Sequence, residues 1–204
     1  MGTHLRSTSQ GRLHILKLES EDGLPRIERR VLAELGSEIE KLATTRRVTG
    51  CIIAGTERAF AVGADISELE RLTPAEAHEF SREGQRVLRA IELSPVPIVA
   101  AVQGYCMGGG LDLALACRAR IATPDAVFAH PGGALGILTG WGGTQRLTRL
   151  IGRALALEMF TTGRKLHAQE ALAAGLVETI VSRDALMPAA EAVITRRATH
   201  RASP

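Results

Sequence analysis

Asp112 is the residue of this chain best placed to move a proton, because of the residues that precede it. It lies in Gly104-Tyr-Cys-Met-Gly-Gly-Gly-Leu-Asp-Leu113, just after the apolar run Pro97-Ile-Val-Ala-Ala-Val102. A buried strand that leads through Gly108, Gly109 and Gly110 into a helix leaves backbone N–H groups free and lets a ligand touch the main chain. Those donors and the positive helix end favour negative charge. The chemistry on offer is an oxyanion site with an acid/base group in the first helical turn. The plainer reading is a tight turn in which Asp112 complements the helix dipole.

Two further segments carry similar features. Phe60-Ala-Val-Gly-Ala-Asp-Ile66 follows a buried strand and places Gly63 before a helix start, with Asp65 as its cap in the simplest reading. Phe128-Ala-His-Pro-Gly-Gly-Ala-Leu-Gly-Ile-Leu-Thr-Gly-Trp-Gly-Gly-Thr-Gln-Arg146 is so rich in glycine that its backbone must be moulded around something. None of the three is specific alone.

The elements that must hold these segments follow from periodicity. Leu13 to Leu18 alternates as a half-buried strand, and Glu19 to Pro25 reads as a turn. Ile27, Val31, Leu32, Leu35, Ile39 and Leu42 form a helical stripe over Arg26 to Leu42. Val48 to Ala54 has the composition of a strand buried on both faces, and Pro97 to Val102 is the next strong strand. A helical region broken near Pro74 runs to Glu92, and the helix after the glycines reaches Cys117. Short strands follow at Ala119 to Ala122 and Ala126 to Ala129. The remainder reads as helices over Trp141 to Ile151, Arg153 to Thr161, Ala168 to Ala174 and Asp184 to Arg197, with a strand at Leu176 to Val181. Strands alternating with helices imply a mainly parallel α/β sheet.

Order and spacing together make a signature. Ala59-Phe-Ala-Val-Gly-Ala-Asp-Ile66, Pro97 through Ala114, Gly142-Gly-Thr-Gln-Arg-Leu-Thr-Arg-Leu-Ile-Gly152 and Ala156-Leu-Glu-Met-Phe-Thr-Thr-Gly163 resemble the crotonase, or enoyl-CoA hydratase/isomerase, superfamily. The resemblance covers residues 12–183. It implies an α/β fold of the crotonase-like (ClpP/crotonase) type, a spiral of ββα units in one domain spanning residues 1–204. It also implies an acyl-CoA thioester substrate and no cofactor beyond the CoA that is part of it. By the same resemblance, the N–H groups of Ala64 and Gly109 form an oxyanion hole and Asp112 is the catalytic carboxylate. Ala64, Asp65, Ile66, Ser67 and Gly109 then line the substrate channel. Hydration of a 2-enoyl-CoA, a lyase reaction of fatty acid metabolism, is the first expectation. Isomerisation or decarboxylation with one carboxylate is the alternative, and a non-catalytic acyl-CoA-binding scaffold is the rival from another class. A serine peptidase on the same spiral needs a serine after the glycine turn, where Leu111-Asp112 stands.

Three departures from the family pattern matter. Family hydratases carry two glutamates: the first position is Asp112 here, one methylene shorter, and the second, in a Phe-Gly-x-Pro-Glu segment, is Gly132. His130 is the one titratable side chain beside the gap; one reading has it reach the site, but since Ala129 continues a strand the first reading is a wall or core histidine. The chain also ends soon after the helix starting near Asp184, so by the resemblance the helical region that builds trimers in relatives is expected to be largely absent, which weakens the expected trimer or hexamer. Glu21 to Ile27 replaces elements that hold CoA in relatives.

Composition excludes other classes. At 204 residues, 45% hydrophobic and 23% charged, the chain reads as one ordinary globular domain. Aromatic content of 3% leaves few platforms for stacking nucleic acid bases. The net charge of +3 owes much to Arg196, Arg197 and Arg201, in what reads as a solvated tail. No apolar run reaches membrane-spanning length, and the head, Met1 to Gly11, lacks a signal-peptide core. Cys51, Cys106 and Cys117 read as reduced core residues, which points to the cytoplasm. No cysteine and histidine spacing suggests a metal site.

Overall fold

The alternating and continuous apolar runs assemble into two sheets in a computed structural model that describes residues 2–45 and 47–201. Strands and helices are numbered in chain order. The larger sheet contains β1 (His4–Gln10), β2 (Leu13–Glu19), β3 (Gly50–Ala54), β5 (Ile98–Val102), β7 (Ala119–Ala122) and β10 (Thr179–Ile180), side by side in that order. All pairs are parallel except β1–β2 at the edge. The smaller sheet runs β4 (Ala59–Ala61), β6 (Tyr105–Met107), β8 (Val127–Ala129) and β9 (Leu166–His167), with only β8–β9 antiparallel. The expected mainly parallel α/β architecture is therefore present.

Period-two alternation divides the large sheet between two cores. Leu16, Leu18, Cys51, Ile53 and Ala100 point to the main core, where α1 (Arg29–Thr44) and α3 (Pro74–Glu92) bury their apolar stripes. Leu13, Ile15, Ile52, Val99 and Ile121 point the other way and are covered by Leu186, Ala190, Val193 and Ile194 of α8 (Leu186–Arg201). The second cover corrects the reading of β2 as half-buried, since Leu13 and Ile15 are only 7% and 8% exposed. Burying a leucine or isoleucine side chain contributes about 1.5–3 kcal/mol, so the Leu186 to Ile194 part of α8 belongs to the fold. Its helix continues through Arg201; the last three residues, 202–204, of the expected tail lie outside the described ones.

Local chemistry sets most boundaries. Thr73 caps α3 through a reciprocal capping box with Glu76 and is followed by Pro74, which is why the helical region breaks there. Strand β1, within the polar head, gave no apolar signal because it is an edge strand with mostly exposed side chains. The strand expected over Leu176 to Val181 shrinks to Thr179–Ile180, since Leu176 and Val177 close the turn after α7 (Ala168–Ala173) with N–H bonds to Ala171 O. Arg120 on β7 is 6% exposed, and its guanidinium serves carbonyls of Ala114, Cys117 and Leu176. It thereby ties the end of α4 (Gly109–Ala116) to the chain after α7.

Candidate active site

The small sheet builds the site. β4, β6 and β8 are three residues each and parallel, and the candidate groups sit just beyond their C-terminal ends: Ala64 after β4, Gly109 and Asp112 after β6, His130 after β8. Parallel strands bring such ends to one edge, the usual place for a ligand in open α/β sheets. β6 had no sequence signal, because three residues between two glycine turns give no period to read; it separates the β5 run from the glycine cluster.

Two turns then meet. Gly63 and Gly108 have φ of +104° and +52°, which L side chains rarely adopt. A Cβ on Gly63 would lie 3.4 Å from Gly109 N, so the turns pass at close range. The N–H groups of Ala64 and Gly109 donate to no other group among the described residues, and both residues line one cavity of about 380 Å³. Trp141 packs across Gly109, where a Cβ would come within 2.5 Å of ring atom Cζ3. Phe80 meets the same indole edge-on at 5.3 Å between centroids.

Asp112 is fully buried in α4 and faces this cavity. It does not cap its own helix. Thr139 donates its hydroxyl to Oδ2 and the Trp141 N–H also donates to the carboxyl, while Oδ1 has no hydrogen-bond partner. Burial pushes the carboxyl up from the ordinary 3.8 to about 7, against the opposing pulls of Thr139, Arg146 and the Trp141 amide. Asp112 therefore changes protonation near neutral pH, as an acid/base group must.

His130 is 4% exposed and packs on Phe160 at 4.9 Å between ring centroids, as a wall histidine should. It also does what the wall reading left out. Its Nε2 lies 3.5 Å from Asp112 Oδ1, has no hydrogen-bond partner, and belongs to a residue lining the same cavity. Burial pushes the imidazole down from 6.5 to about 4. Burial thus opposes charge on both partners, and the contact is an ion pair only while the imidazole holds the proton. Leaving a buried polar atom unsatisfied costs about 1–3 kcal/mol, so two such atoms side by side call for a shared proton or a polar ligand atom.

The remaining expected residues divide. Ile66 lines the cavity, whereas Asp65 and Ser67 are not among its lining residues. Asp65 Oδ1 accepts from the N–H of Ser67 and Glu68, capping α2 (Ile66–Leu69) as the simple reading held. Gly132 does line the cavity, in the 3-10 turn Pro131–Leu135. Sequence reasoning missed Thr139 and Trp141; the only available signal was their place in the glycine-rich loop. The apolar wall is completed by Leu69, Leu72, Phe80, Leu135, Ile137 and Phe160. Among the described residues no three His, Cys, Asp or Glu side chains converge as a metal site, and no helix is long and apolar enough to cross a membrane.

Known proteins share this architecture. The chain is 35% identical over 188 residues to the short-chain-enoyl-CoA hydratase of Clostridium acetobutylicum, covering 92% of this chain and 72% of that one. It is 36% identical over 186 residues to the crotonyl-CoA hydratase of Syntrophomonas wolfei, covering 91% and 72%. The solved structure of an enoyl-CoA hydratase from Bacillus anthracis superposes with a TM-score of 0.88 at 30% identity, over 96% of this chain and 76% of that one. The sequence profile described as enoyl-CoA hydratase/isomerase matches residues 10–203, further toward the C-terminus than the 12–183 resemblance. Fold, sequence and profile agree: the chain belongs to the enoyl-CoA hydratase/isomerase family.

Proposed function

We propose that this protein is a lyase that hydrates a short-chain 2-enoyl-CoA, with Ala64 and Gly109 as the oxyanion hole and Asp112 as an acid/base group. The carrying observation is that the two undonated N–H groups and the Asp112 carboxyl face one cavity. The relatives named as hydratases support the same reaction.

Adding water across a thioester-conjugated double bond pushes an electron pair onto the carbonyl oxygen. Two fixed N–H donors aimed at that oxygen stabilise the enolate, each to the extent of about 3–4 kcal/mol in comparable oxyanion sites. They need no reorganisation, because the Gly63 and Gly108 turns already hold them. A carboxyl titrating near 7 can be present as acid or as base at neutral pH, so Asp112 can deliver a proton to C2 in hydration and remove it in dehydration. The apolar wall accepts the acyl chain, and Ile66 borders the channel beside Ala64. In this reading the protein works in the cytosol as a trimer or hexamer, with residues 1–204 as a single unit and CoA entering only as part of the substrate.

Isomerisation with Asp112 as the single base is the second reading, favoured by Gly132 in place of a carboxylate. The test is loss of the conjugated thioester absorbance of crotonyl-CoA, followed in the wild type and in Asp112→Asn. Hydration that falls at least a hundredfold in the variant supports the proposal. Binding of crotonyl-CoA without turnover, alongside migration of a 3-enoyl-CoA double bond, transfers it to the isomerase reading. Binding with no turnover of either substrate leaves a scaffold, and a failure to bind any acyl-CoA rejects all three.

A further inference from the structure

The cavity holds a second group able to carry a proton, and it is not at the position where the family pattern puts one. Gly132 occupies that position, and a Cβ there would stand 2.5 Å from the carbonyl oxygen of Ile137, so the turn has no room for a side chain. Two residues earlier, His130 sends Nε2 to within 3.5 Å of Asp112 Oδ1. Both atoms are buried, both lack a hydrogen-bond partner, and both residues face the cavity that holds the Ala64 and Gly109 N–H groups. Other buried polar atoms without partners, Thr123 Oγ1 and Arg146 Nε, belong to residues that do not line it.

We infer that His130 is a catalytic residue of the hydration, holding the attacking water with Asp112 and taking its proton. This rests on the proposed hydratase function. As the water oxygen bonds C3, one of its O–H bonds breaks and the proton passes to His130 Nε2. The C2=C3 electron pair moves through C2 to the thioester oxygen, held by the N–H groups of Ala64 and Gly109. The enolate pair then takes the Asp112 proton to form the C2–H bond, and the carbonyl returns. The pair is left as imidazolium and carboxylate, and the proton returns from Nε2 to Oδ1, 3.5 Å away, through the water that replaces the one consumed. One proton cycles and nothing else is consumed.

The surroundings fit that cycle. Burial favours the neutral imidazole and the protonated carboxyl, the forms needed at the start. The groups facing the pair are the Arg146 guanidinium, the Thr139 hydroxyl, the Trp141 N–H, the Cys106 thiol and the Phe160 ring. Arg146 is itself paired with Glu92 at 3.1 Å and with Trp141 O, so it stabilises the transient carboxylate without occupying it.

The test uses two variants and two reactions. His130→Gln keeps a hydrogen-bonding side chain, and His130→Met replaces a buried polar orphan by an apolar chain, a change that favours a folded product. Hydration of crotonyl-CoA is compared with exchange of the C2 hydrogens of butyryl-CoA in D2O at pH 8, which calls on Asp112 and the oxyanion hole but not on the attacking water. The expected result is a fall in hydration kcat of about a hundredfold or more in both variants, with KM within threefold and exchange within threefold of wild type. Hydration within threefold of wild type in either variant overturns the inference and leaves the hydratase standing. Joint loss of exchange and hydration also overturns it, since His130 is then only structural. A wild type that exchanges but does not hydrate refutes the hydratase function itself, and this inference falls with it.

Discussion

Restoring the family glutamate by Gly132→Glu tests whether Gly132 is a vacancy or a steric requirement. A Cβ at this position would lie 2.5 Å from Ile137 O and 3.6 Å from Ile137 Cβ. The obstruction is backbone and cannot rotate away. Gly132 O also accepts the Ile137 N–H at 2.9 Å, so moving residue 137 aside breaks the bond that closes the turn. The φ of Gly132 is not positive, which leaves contact rather than dihedral strain as the cost. Overpacking of this kind costs about 1–3 kcal/mol and the lost hydrogen bond about 1 more. For a chain of 204 residues that corresponds to a fall in Tm of roughly 4–16 °C, read by differential scanning calorimetry. Crotonyl-CoA hydration, read by absorbance, should not rise, because the displaced Ile137 and Leu135 form the cavity wall. Gly136→Ala is the contrasting control: φ is +67° and nothing lies within 4 Å, so only dihedral strain of about 1–2 kcal/mol is expected. A Gly132→Glu protein with unchanged Tm and a tenfold higher kcat would refute the steric account.

Three further outcomes follow from the buried polar groups. Asp112, raised from 3.8 to about 7, binds more protons folded than unfolded across that window, so its contribution to stability falls as pH rises. His130, lowered from 6.5 to about 4, binds fewer folded than unfolded, so its contribution rises and offsets the first below pH 6.5. Urea unfolding of Asp112→Asn should therefore gain on the wild type by on the order of 3 kcal/mol between pH 4 and 7, and a constant difference would contradict the shift. Arg120→Met should cost about 3 kcal/mol or more in the same assay, since it strips the guanidinium from three buried carbonyls; a loss below 1 kcal/mol would show that they find other partners. Cys51, Cys106 and Cys117 are buried, and burial pushes their thiols well up, Cys117 to about 12, so Ellman's reagent should label them only on unfolding. Fast labelling of the native protein would count against that packing.

The sequence by itself determined the long elements, the two glycine turns and the carboxylate beside one of them. Apolar runs such as Ile98 to Val102 and stripes such as Val31, Leu35 and Ile39 report burial directly, because period and burial face are the same physical fact. Gly63 and Gly108 were legible because a positive φ selects glycine. What remained hidden depends on partners distant in the chain. Strands β4 and β6 are too short to show a period, and only the parallel pairing of β4, β6 and β8 aligns Ala64, Gly109 and His130 at one edge. His130 read as a wall residue because its own segment says only that it follows a strand. Its approach to Asp112 comes from the register that sets Met107 against Ala129, with Gly108 N–H donating to Ala129 O at 2.9 Å. Thr139 and the Trp141 amide reach Asp112 across 27 and 29 residues of chain, after a loop with no regular period. A proton's position is set by burial and by neighbours within a few ångströms, and only the tertiary structure decides which neighbours those are.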